Sequence, residues 1–259
     1  SPPWSNGAGA PDSFFDGGRL RSPDEVLRQA EKMLSEVATI LDIGGASSRP
    51  GAVEVPESLE IERILPAIES LRQQFPEAIL SVDTWRSSVA QAALDTGAAM
   101  VNDISAGRFD AALYATVARA GCPYILMHMQ GQPDNMQLAP QYEDIVQEVL
   151  DFFIQEVAKL RAMGVGDIVL DPGFGFGKTV EHNYRLLNNL KVFRSVTGLP
   201  ILAGISRKSM ICKVLKVNPE QALNGTTALH MVALQQGARI LRVHDVREAV
   251  EVIRLWEQF

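Results

Sequence analysis

The sequence contains few cysteines and no long apolar run. Only Cys122 and Cys212 occur among 259 residues. Both lie in apolar stretches, which is typical of free thiols buried in a reducing compartment, and a disulfide between them is the alternative. No segment reaches the roughly 18 consecutive apolar residues that a membrane-spanning helix needs, and no signal peptide is recognised. We therefore expect a cytoplasmic protein with no membrane partner.

Basic residues are also in short supply. Lys and Arg total 24 against 31 Asp and Glu, which gives a formal net charge of −7. This balance argues against a general nucleic-acid partner and against binding to an anionic membrane surface. A negatively charged small substrate is still compatible with the balance where basic residues cluster locally.

Several common functional motifs are missing. Residues 173–179 resemble a phosphate-binding P-loop, but Pro172 stands where that pattern requires glycine. The glycine spacing is wrong for the dinucleotide fingerprint. The sequence has no Cys/His set with zinc spacing and no Gly-x-Ser-x-Gly elbow. These absences argue against the corresponding nucleotide-, zinc- and hydrolase-type sites.

What the sequence does contain is a regular alternation of apolar strands and amphipathic helices. Strands are predicted at residues 39–43, 78–82, 99–101, 124–127, 168–170, 200–203 and 239–241. An eighth strand would have to come from the N-terminal region. There, prolines and glycines within residues 1–10 disfavour a regular strand, and residues 11–18 are predicted to form a turn-rich loop.

Helices are predicted between these strands. Ser22, Pro23 and Glu25 form a helix start with a serine cap. The predicted helices cover residues 22–36, 57–74, 87–95, 109–120, 142–163, 181–196 and 219–236, with a short helix before the last of these and a final helix ending at Trp256. The alternation predicts parallel strands with helical crossovers, and the length fits one (β/α)₈ TIM barrel over residues 1–259, since such barrels take about 250 residues. A doubly wound open sheet is the alternative.

Polar side chains follow nearly every predicted strand, and in a TIM barrel these strand ends build the site. A single strand-end aspartate is often only a helix cap, and His128, between two methionines, is equally compatible with a core histidine. Recurrence at strand after strand favours a shared site. The residues concerned are Asp42, Asp83, Asn102, His128, Asp171, Lys208, Arg242 and His244.

These residues divide by chemistry into two subsites. One set offers hydrogen-bond acceptors and donors suited to a flat heterocycle with an amidine-like edge, such as a 2-amino-4-oxo-pyrimidine ring; it comprises Asp83, Asn102, Asp171 and Lys208. The other set supplies positive charge suited to a phosphate or diphosphate; it comprises Arg49, Arg242 and His244.

Taken together, these stretches resemble the dihydropteroate synthases of the folate pathway. The resemblance runs in order from residue 11 to residue 259, and the combination of the segments 171–178 and 206–209 is very specific. The matching stretches are Pro-Asp-Ser-Phe-Phe-Asp-Gly-Gly (11–18), Asp-Ile-Gly-Gly-x-Ser-Ser-Arg-Pro-Gly (42–51), Ser-Val-Asp-Thr (81–84), Asn-Asp-Ile (102–104), Met-His-Met-Gln-Gly (127–131), Asp-Pro-Gly-Phe-Gly-Phe-Gly-Lys (171–178), Ser-Arg-Lys-Ser (206–209) and Arg-Val-His-Asp (242–245).

The resemblance implies a TIM barrel that condenses 6-hydroxymethyl-7,8-dihydropterin diphosphate with 4-aminobenzoate. The products would be 7,8-dihydropteroate and pyrophosphate. It also implies Mg²⁺ as cofactor, inhibition by sulfonamides that compete with 4-aminobenzoate, and a homodimer. Two alternatives stay open: a methyltetrahydrofolate–corrinoid methyltransferase, and a pterin-binding scaffold with impaired catalysis.

The resemblance also assigns roles to individual residues. It implies that the pterin is bound by Asp83, Asn102, Met127, Asp171, Gly204 and Lys208, and the diphosphate by Arg49, Arg242 and His244. It implies that the 4-aminobenzoate is flanked by Phe15 (or Phe14), Ser48, Arg49, Pro50, Phe176, Lys208 and Ser209. The catalytic set would be Arg49, Asp83, Lys208, Arg242 and His244.

The sequence departs from the family pattern at two places. Ala8, Gly9 and Ala10 stand where the family has Asn-x-Thr at the end of an apolar strand, and that asparagine helps to bind the metal. Either these residues are omitted or replaced in the sequence, which we favour, or the first strand and the metal ligand are altered. The metal-binding residue therefore stays unknown. Ser48 replaces the usual threonine and keeps the hydroxyl group.

Overall fold

The computed structural model describes residues 22–47, 53–132 and 134–259, together with the backbone of residues 11–13. The strands of this part of the chain are β1 (Pro11–Ser13), β2 (Ile40–Gly44), β3 (Ile79–Asp83), β4 (Met100–Asp103), β5 (Tyr124–Met127), β6 (Ile168–Asp171), β7 (Ile201–Ala203) and β8 (Ala238–Leu241). Its α-helices are α1 (Pro23–Ser35), α2 (Glu57–Gln74), α3 (Ser87–Thr96), α4 (Leu113–Ala120), α5 (Ile145–Ala162), α6 (Val180–Leu187), α7 (Leu190–Thr197), α8 (Ser209–Leu215), α9 (Leu223–Gln235) and α10 (Val246–Trp256).

The strands form one parallel sheet in the order in which they occur along the chain. Each strand from β1 to β7 pairs in parallel with its successor. A doubly wound sheet reverses its strand order at a switch point, so the sequential order excludes that alternative. The chain is a single α/β domain built on this sheet.

The sheet is curled, because residues at its two sides meet. Arg242 directly follows β8, and its Nε lies 3.0 Å from Oδ2 of Asp42 on β2. In a flat sheet, six strand spacings of about 4.8 Å would hold these two strands about 29 Å apart. The inward-facing side chains form one apolar cluster inside the curl: Ile40, Met100, Ile125, Val169, Leu202 and Ile240, with Ile79 against them.

The other face of the sheet is covered by helices. Alternate strand residues such as Leu41, Leu80 and Leu126 point outwards and join the main core beneath the helices. This leaves the carboxyl-terminal edge of the strands, where the polar residues lie, as the open end of the curl.

The N-terminal region supplies a strand where the sequence predicted a loop. Residues 11–13 form β1 and pair with Ile40, Leu41 and Asp42. Pro11 occupies the first position of the strand, where a missing backbone N–H is tolerated. The prediction of a loop was therefore wrong for residues 11–13. Residues 1–10, including the departure from the family pattern at Ala8–Ala10, lie outside the described residues.

Local sequence signals placed the first two helices correctly. Ser22 and Glu25 form the predicted capping box of α1, and α2 occupies the predicted residues 57–74. Helix α5 starts three residues later than predicted, because the Asp144 side chain accepts hydrogen bonds from the N–H groups of Val146 and Gln147.

Three helix predictions were wrong in extent. The helix predicted at 109–120 begins only at Leu113, since Asp110 caps the turn before it through the N–H of Ala112. The predicted helix 181–196 is two helices that meet at Asn188 and Asn189. The predicted helix 219–236 is a 3₁₀ turn, Pro219–Gln221, followed by α9.

Both cysteines are free thiols, as predicted. Cys122 is buried and Cys212 is half-buried, so the second is less enclosed than expected. Burial raises the pKa of Cys122 to about 11, which keeps this thiol protonated and unreactive. Among the described residues, no helix combines the length and apolar character needed to cross a membrane.

Candidate functional site

The strand register places site positions on neighbouring strands in pairs. Asp83, the last residue of β3, lies opposite Gly44 of β2 and opposite Asn102 of β4. On the next strands along the sheet, Met127 lies opposite Asp171. Asp83 and Asn102 are thus direct neighbours, and Met127 and Asp171 form a second neighbouring pair two residues further along their strands, since Asn102 lies opposite Ile125.

Asp42 and Arg242 hold the first half of the site together. Oδ2 of the buried Asp42 accepts hydrogen bonds from Nδ2 of Asn102 and from Nε of Arg242, both at 3.0 Å. The Arg242 Nη2 also lies 3.5 Å from Oδ2 of Asp83. Two carboxylates, an amide and a guanidinium thus form one connected polar group.

The charges in this half are strongly perturbed. Burial, and then the neighbouring charge of Asp42, raise the pKa of Asp83 to about 8, although Arg242 acts in the opposite direction. Burial works against the charged form of Arg242, but Asp42 and Asp83 outweigh it and raise the pKa of the guanidinium. Arg242 therefore stays charged, and Asp83 keeps its proton to a higher pH than an ordinary aspartate does.

Asp171 and Lys208 form the second half of the site. Oδ1 of Asp171 accepts the N–H of Gly173 at 2.8 Å, and Nζ of Lys208 donates to the carbonyl oxygen of Phe174 at 2.7 Å. Nζ of Lys208 also lies 5.1 Å from the centre of the Phe176 ring. This geometry leaves the second carboxylate oxygen of Asp171 available as an acceptor and places a cation beside an aromatic wall.

Burial dominates the proton equilibria of this second pair. Burial raises the pKa of Asp171, and Lys208 opposes that change. Burial lowers the pKa of Lys208 to about 8, and Asp171 opposes that change. Strongly shifted titratable groups that converge in one place are typical of functional sites.

The two halves meet at Gly204, just after β7. A methyl group added at Gly204 would lie 3.5 Å from Nζ of Lys208 and 3.9 Å from Cβ of Arg242. Any larger side chain at this position would therefore crowd both cations. The glycine predicted in the pterin set lies where Lys208 and Arg242 come together.

His244 lies at the rim, beyond Arg242. Its Nδ1 is 2.7 Å from Oγ of Ser206, and that hydroxyl oxygen also accepts the His244 backbone N–H at 3.2 Å. Arg207 forms a two-pronged ion pair with Asp245, with N–O distances of 2.8 and 2.9 Å. The loops after β7 and β8 are thus tied together, and Arg207 serves in this contact.

Apolar residues line the opposite rim. Met127 is buried in a small cluster with Ile104, Met129 and Met136, and the half-buried Phe176 packs against it. Ser209, predicted beside the aminobenzoate, is the exposed first residue of α8. The other predicted residues of that subsite, Phe14, Phe15, Ser48, Arg49 and Pro50, lie outside the described residues.

The segment that follows residues 48–52 is anchored by Arg86. Its guanidinium donates to Glu54 at 2.9 Å, to the carbonyl oxygen of Val55 at 2.8 Å and to the buried Glu60 at 2.5 Å. Sequence reasoning gave Arg86 and Glu60 no role, because the two residues belong to separate βα units.

His128 does not join the site. Its ring packs edge-on against Phe152 at 5.0 Å and against Tyr142 at 6.1 Å, on the α5 side of the sheet. Burial, and then Lys178 and Arg108, lower its pKa well below the ordinary value. Of the two interpretations of His128, the structure supports the core histidine.

Two residues that belong to neither predicted subsite support the site. Asp42, noted only as a strand-end residue, connects Asn102 and Arg242. Lys178, the last residue of the opening glycine motif, is buried beneath the loop that contacts Lys208. The strand-end position of Asp42 was a usable signal, whereas a lysine beside a glycine loop is ordinarily a surface residue.

The described residues alone do not supply a full set of ligands for a metal ion. No group of three or more His, Cys, Asp or Glu side chains in this part of the chain is arranged to hold a metal ion. Asp42 and Asp83 both lie against Arg242, a cation that competes with a metal for their oxygens. The expected metal-binding asparagine precedes residue 11 and falls outside the described residues.

Comparison with known proteins gives one consistent family. The family model described as pterin binding enzyme matches residues 9–244. The dihydropteroate synthase of Escherichia coli K12 is 45% identical over 249 residues, covering 95% of this chain and 87% of the relative. The dihydropteroate synthase of Bacillus subtilis is 37% identical over 249 residues, covering 95% and 84%.

Solved structures agree with the sequence relatives. A Yersinia pestis dihydropteroate synthase in complex with a sulfonamide drug superposes with a TM-score of 0.92 at 41% identity, covering 97% of this chain and 94% of that chain. A Xanthomonas albilineans dihydropteroate synthase with 4-aminobenzoic acid gives a TM-score of 0.89 at 36% identity, covering 98% and 93%. The chain belongs to the dihydropteroate synthase family of pterin-binding enzymes, which are transferases of folate biosynthesis.

Proposed function

We propose that this chain condenses 6-hydroxymethyl-7,8-dihydropterin diphosphate with 4-aminobenzoate, forming 7,8-dihydropteroate and releasing pyrophosphate. The observation that carries the proposal is the meeting of two chemistries at one edge of the sheet. Asn102 and Asp171 provide acceptors for a pterin edge, Asp83 provides a carboxyl group that can donate or accept, and Lys208 and Arg242 provide cations next to them.

The pterin would lie across the ends of β3 to β7. Asp171 has one oxygen fixed by Gly173 and offers the other to the ring's amidine-like edge. Asn102 is held by Asp42, so its carbonyl oxygen has a defined direction. Asp83, with its raised pKa, can donate or accept a proton at the ring. Met127 would provide an apolar face for the ring. Gly204, which has no side chain, would leave room for the ring.

The diphosphate would lie at the Arg242 side. A guanidinium presents forked donors that suit phosphate oxygens, and Arg242 stays charged because Asp42 and Asp83 stabilise its charge. His244, oriented by Ser206, would contact the outer phosphate. Arg49 is proposed as the third cation on the basis of the family motif.

The reaction would begin as the carbon–oxygen bond to the diphosphate breaks. The electron pair leaves with the diphosphate, where Arg242, His244 and Arg49 neutralise the growing charge. The methylene carbon left behind is cationic and shares its charge with the ring. The aromatic amine of 4-aminobenzoate then attacks that carbon and loses a proton, so no strong general base is needed.

The 4-aminobenzoate subsite is proposed at the outer rim. Lys208 and Ser209 lie at the start of α8, and Phe176 lies beside Lys208. Phe15, Ser48, Arg49 and Pro50 are assigned to the same subsite from the motifs alone. The X. albilineans relative was solved with 4-aminobenzoic acid and the Y. pestis relative with a sulfonamide drug. We therefore propose that sulfonamides compete with 4-aminobenzoate here.

We also propose Mg²⁺ as the cofactor, acting on the diphosphate. Magnesium is commonly held by substrate phosphates with one or two carboxylates and retained waters, which is compatible with the absence of a three-ligand group among the described residues. Its contribution would be to reduce the negative charge on the departing group.

Four broader features are proposed with the function. We infer that residues 1–259 form one domain and that the curled sheet closes into a complete (β/α)₈ barrel, because β8 already reaches β2 through Arg242 and Asp42. We infer a homodimer from the family resemblance; exposed apolar residues such as Val196, Val214 and Leu215 on the outer helices offer contact area. The free thiols support a cytoplasmic setting.

Pyrophosphate release tests the proposal. The purified protein is mixed with the pterin diphosphate, 4-aminobenzoate and Mg²⁺, and pyrophosphate and dihydropteroate are measured together. Release that requires both substrates supports the synthase. Pterin binding without release would instead indicate a pterin-binding scaffold, and methyl transfer from methyltetrahydrofolate to a corrinoid would indicate the methyltransferase.

A further inference from the structure

Lys178 is a buried lysine whose three donor positions are all occupied by backbone oxygens. Its Nζ donates to the carbonyl oxygens of Gly173 and Phe176, both at 2.9 Å, and of His128 at 3.3 Å. The residue is 2% exposed. Three donors are the full capacity of an ammonium group, so Lys178 has none left for a substrate.

Lys178 has no ion-pair partner in the part of the chain that the structure describes. Among the ion pairs formed by the described residues, none includes Lys178. Burial lowers its pKa well below the ordinary value, and Asp171 opposes that change. Burying a lysine that contacts only carbonyl oxygens costs folding free energy. This cost indicates that Lys178 has a specific role inside the protein.

The loop around Lys178 lies directly on the segment after β5. Gly173 and Gly177 both have positive φ, 72° and 66°. A methyl group on Gly173 would collide with the carbonyl oxygen of His128, and one on Gly177 with that of Gln130. The close approach thus depends on two glycines, and Lys178 bridges the two segments that they bring together.

The bridge formed by Lys178 flanks the carbonyl that accepts the hydrogen bond from Nζ of Lys208. Phe174 lies between Gly173 and Phe176, the two loop residues whose carbonyl oxygens Lys178 holds. The Phe174 carbonyl oxygen accepts the 2.7 Å hydrogen bond from Nζ of Lys208. Lys178 thus holds the loop on both sides of that carbonyl, and the N–H of Gly175 is held by Asn183.

We propose that Lys178 is a positioning residue, which ties the loop 173–177 to the His128 backbone and thereby places the Phe174 carbonyl oxygen that orients Lys208 in the pterin pocket. The proposal rests on the proposed function for the part played by Lys208. Lys178 acts through Lys208 and the loop, without contact with the substrate.

A double-mutant cycle tests the coupling. The four proteins are the wild type, Lys178→Met, Lys208→Met and the double variant; methionine keeps the apolar stem and removes the donors. Binding of 6-hydroxymethylpterin is measured by calorimetry, without 4-aminobenzoate. Because Lys208 would lose its orienting partner, Lys178→Met is expected to weaken binding about tenfold in the wild type. It should weaken binding less than about threefold when Lys208 is already absent.

If Lys178 merely stabilised the loop, Lys178→Met would lower the pterin affinity by the same factor in the wild-type and Lys208→Met backgrounds. That result would overturn the proposal, and so would an unchanged affinity of the single variant Lys178→Met. Lys32→Met, an exposed lysine on α1, is the matched control and should leave binding unchanged. If Lys178→Met does not fold, Lys178→Gln takes its place in the cycle, since its two amide donors cannot hold all three carbonyl oxygens.

A crystal structure of the variant separates this inference from the proposed function. In Lys178→Met, or in Lys178→Gln if only that folds, the hydrogen bond from Lys208 to the Phe174 carbonyl oxygen is expected to be broken or redirected. An unchanged contact at 2.7 Å overturns the positioning role whatever the wild-type activity. A wild type that fails to bind pterin or to release pyrophosphate contradicts the proposed function alone.

Discussion

Arg242 Nε and Asp42 Oδ2 lie 3.0 Å apart although 200 residues separate them in the chain. The contact joins the end of β8 to β2 and carries Arg242 to within 3.5 Å of Asp83. One ion pair therefore serves both the curl of the sheet and the charge balance of the site. Its loss is expected to affect the proposed diphosphate subsite, to which Arg242 is assigned together with Arg49 and His244.

Arg242→Ala is expected to weaken binding of the pterin diphosphate about a hundredfold, because a forked, charge-assisted contact with phosphate is lost. Binding of the bare 6-hydroxymethylpterin should weaken much less. Calorimetric titration of both ligands gives the two factors. Arg247→Ala, at an exposed surface pair with Glu36, is the control. Equal losses for the two ligands would contradict the assignment of Arg242 to the diphosphate.

Asp171→Asn is expected to weaken pterin binding roughly tenfold or more, because a charged acceptor facing the ring edge becomes neutral. The Asn oxygen can still accept the Gly173 N–H, so the loop geometry should persist. Asp110→Asn is a matched control, since Asp110 also accepts a backbone N–H, from Ser87 at 2.7 Å, away from the site. A pterin affinity unchanged by Asp171→Asn would exclude the proposed contact.

Asp83 is expected to make folding stability fall as the pH rises. Its folded pKa is raised to about 8 by burial and by Asp42, whereas an unfolded aspartate titrates at about 3.9. Between these values the folded protein retains a proton that the unfolded chain has released. The free energy of unfolding contributed by this group therefore decreases from about pH 4 to about pH 8.

Asp83→Asn should remove that dependence. Urea unfolding at about pH 5 and about pH 8 should show the variant gaining on the wild type as the pH rises. Asp110→Asn is the comparison: burial opposes the charge of Asp110, but hydrogen bonds from Ser87 and Ala112 outweigh it and lower its pKa. The change in unfolding free energy caused by Asp110→Asn should therefore be constant over this pH range. If the change caused by Asp83→Asn were equally independent of pH, that result would argue against the raised pKa of Asp83.

Arg86→Ala is expected to lower the free energy of unfolding by about 3–5 kcal/mol, because the buried Glu60 loses its charged partner. The side chains of Arg86 and Glu60 are only 9% and 2% exposed. Replacing both residues with leucine should cost less than the single change. Urea unfolding measures each variant.

The exposed pair of Arg247 and Glu36 is the internal standard for this prediction, and Arg247→Ala should cost less than about 1 kcal/mol. If Arg86→Ala and Arg247→Ala lowered the free energy of unfolding by similar amounts, the pair of Arg86 and Glu60 would contribute no more to stability than a surface ion pair.

Local signals in the sequence predicted helix starts well and helix ends less well. The serine cap at Ser22 and the apolar spacing of residues 57–74 act over a few residues, and both helices form as predicted. The break at Asn188 and Asn189 has no such local signal, since apolar spacing continues across it. The strand at residues 11–13 depends on pairing with β2, which no short stretch of sequence reveals.

The sequence predicted which residues belong to the site but not how they are arranged. The chemistry of Asp83, Asn102, Asp171, Lys208 and Arg242 and their places after strands were readable, because strand periodicity and the residue types are both local. The outward turn of His128, the role of Asp42 and the buried position of Lys178 depend on which side chains meet.

By itself, the sequence determined the succession of strands and helices, the acids and cations at the strand ends, and the family to which the chain belongs. The tertiary structure decided which of those groups touch and what protonation they adopt. The reason is physical: a hydrogen bond such as that of Arg242 with Asp42 needs the curled sheet to bring its partners together. A shifted pKa such as that of Asp83 depends on how much water the surrounding chain excludes.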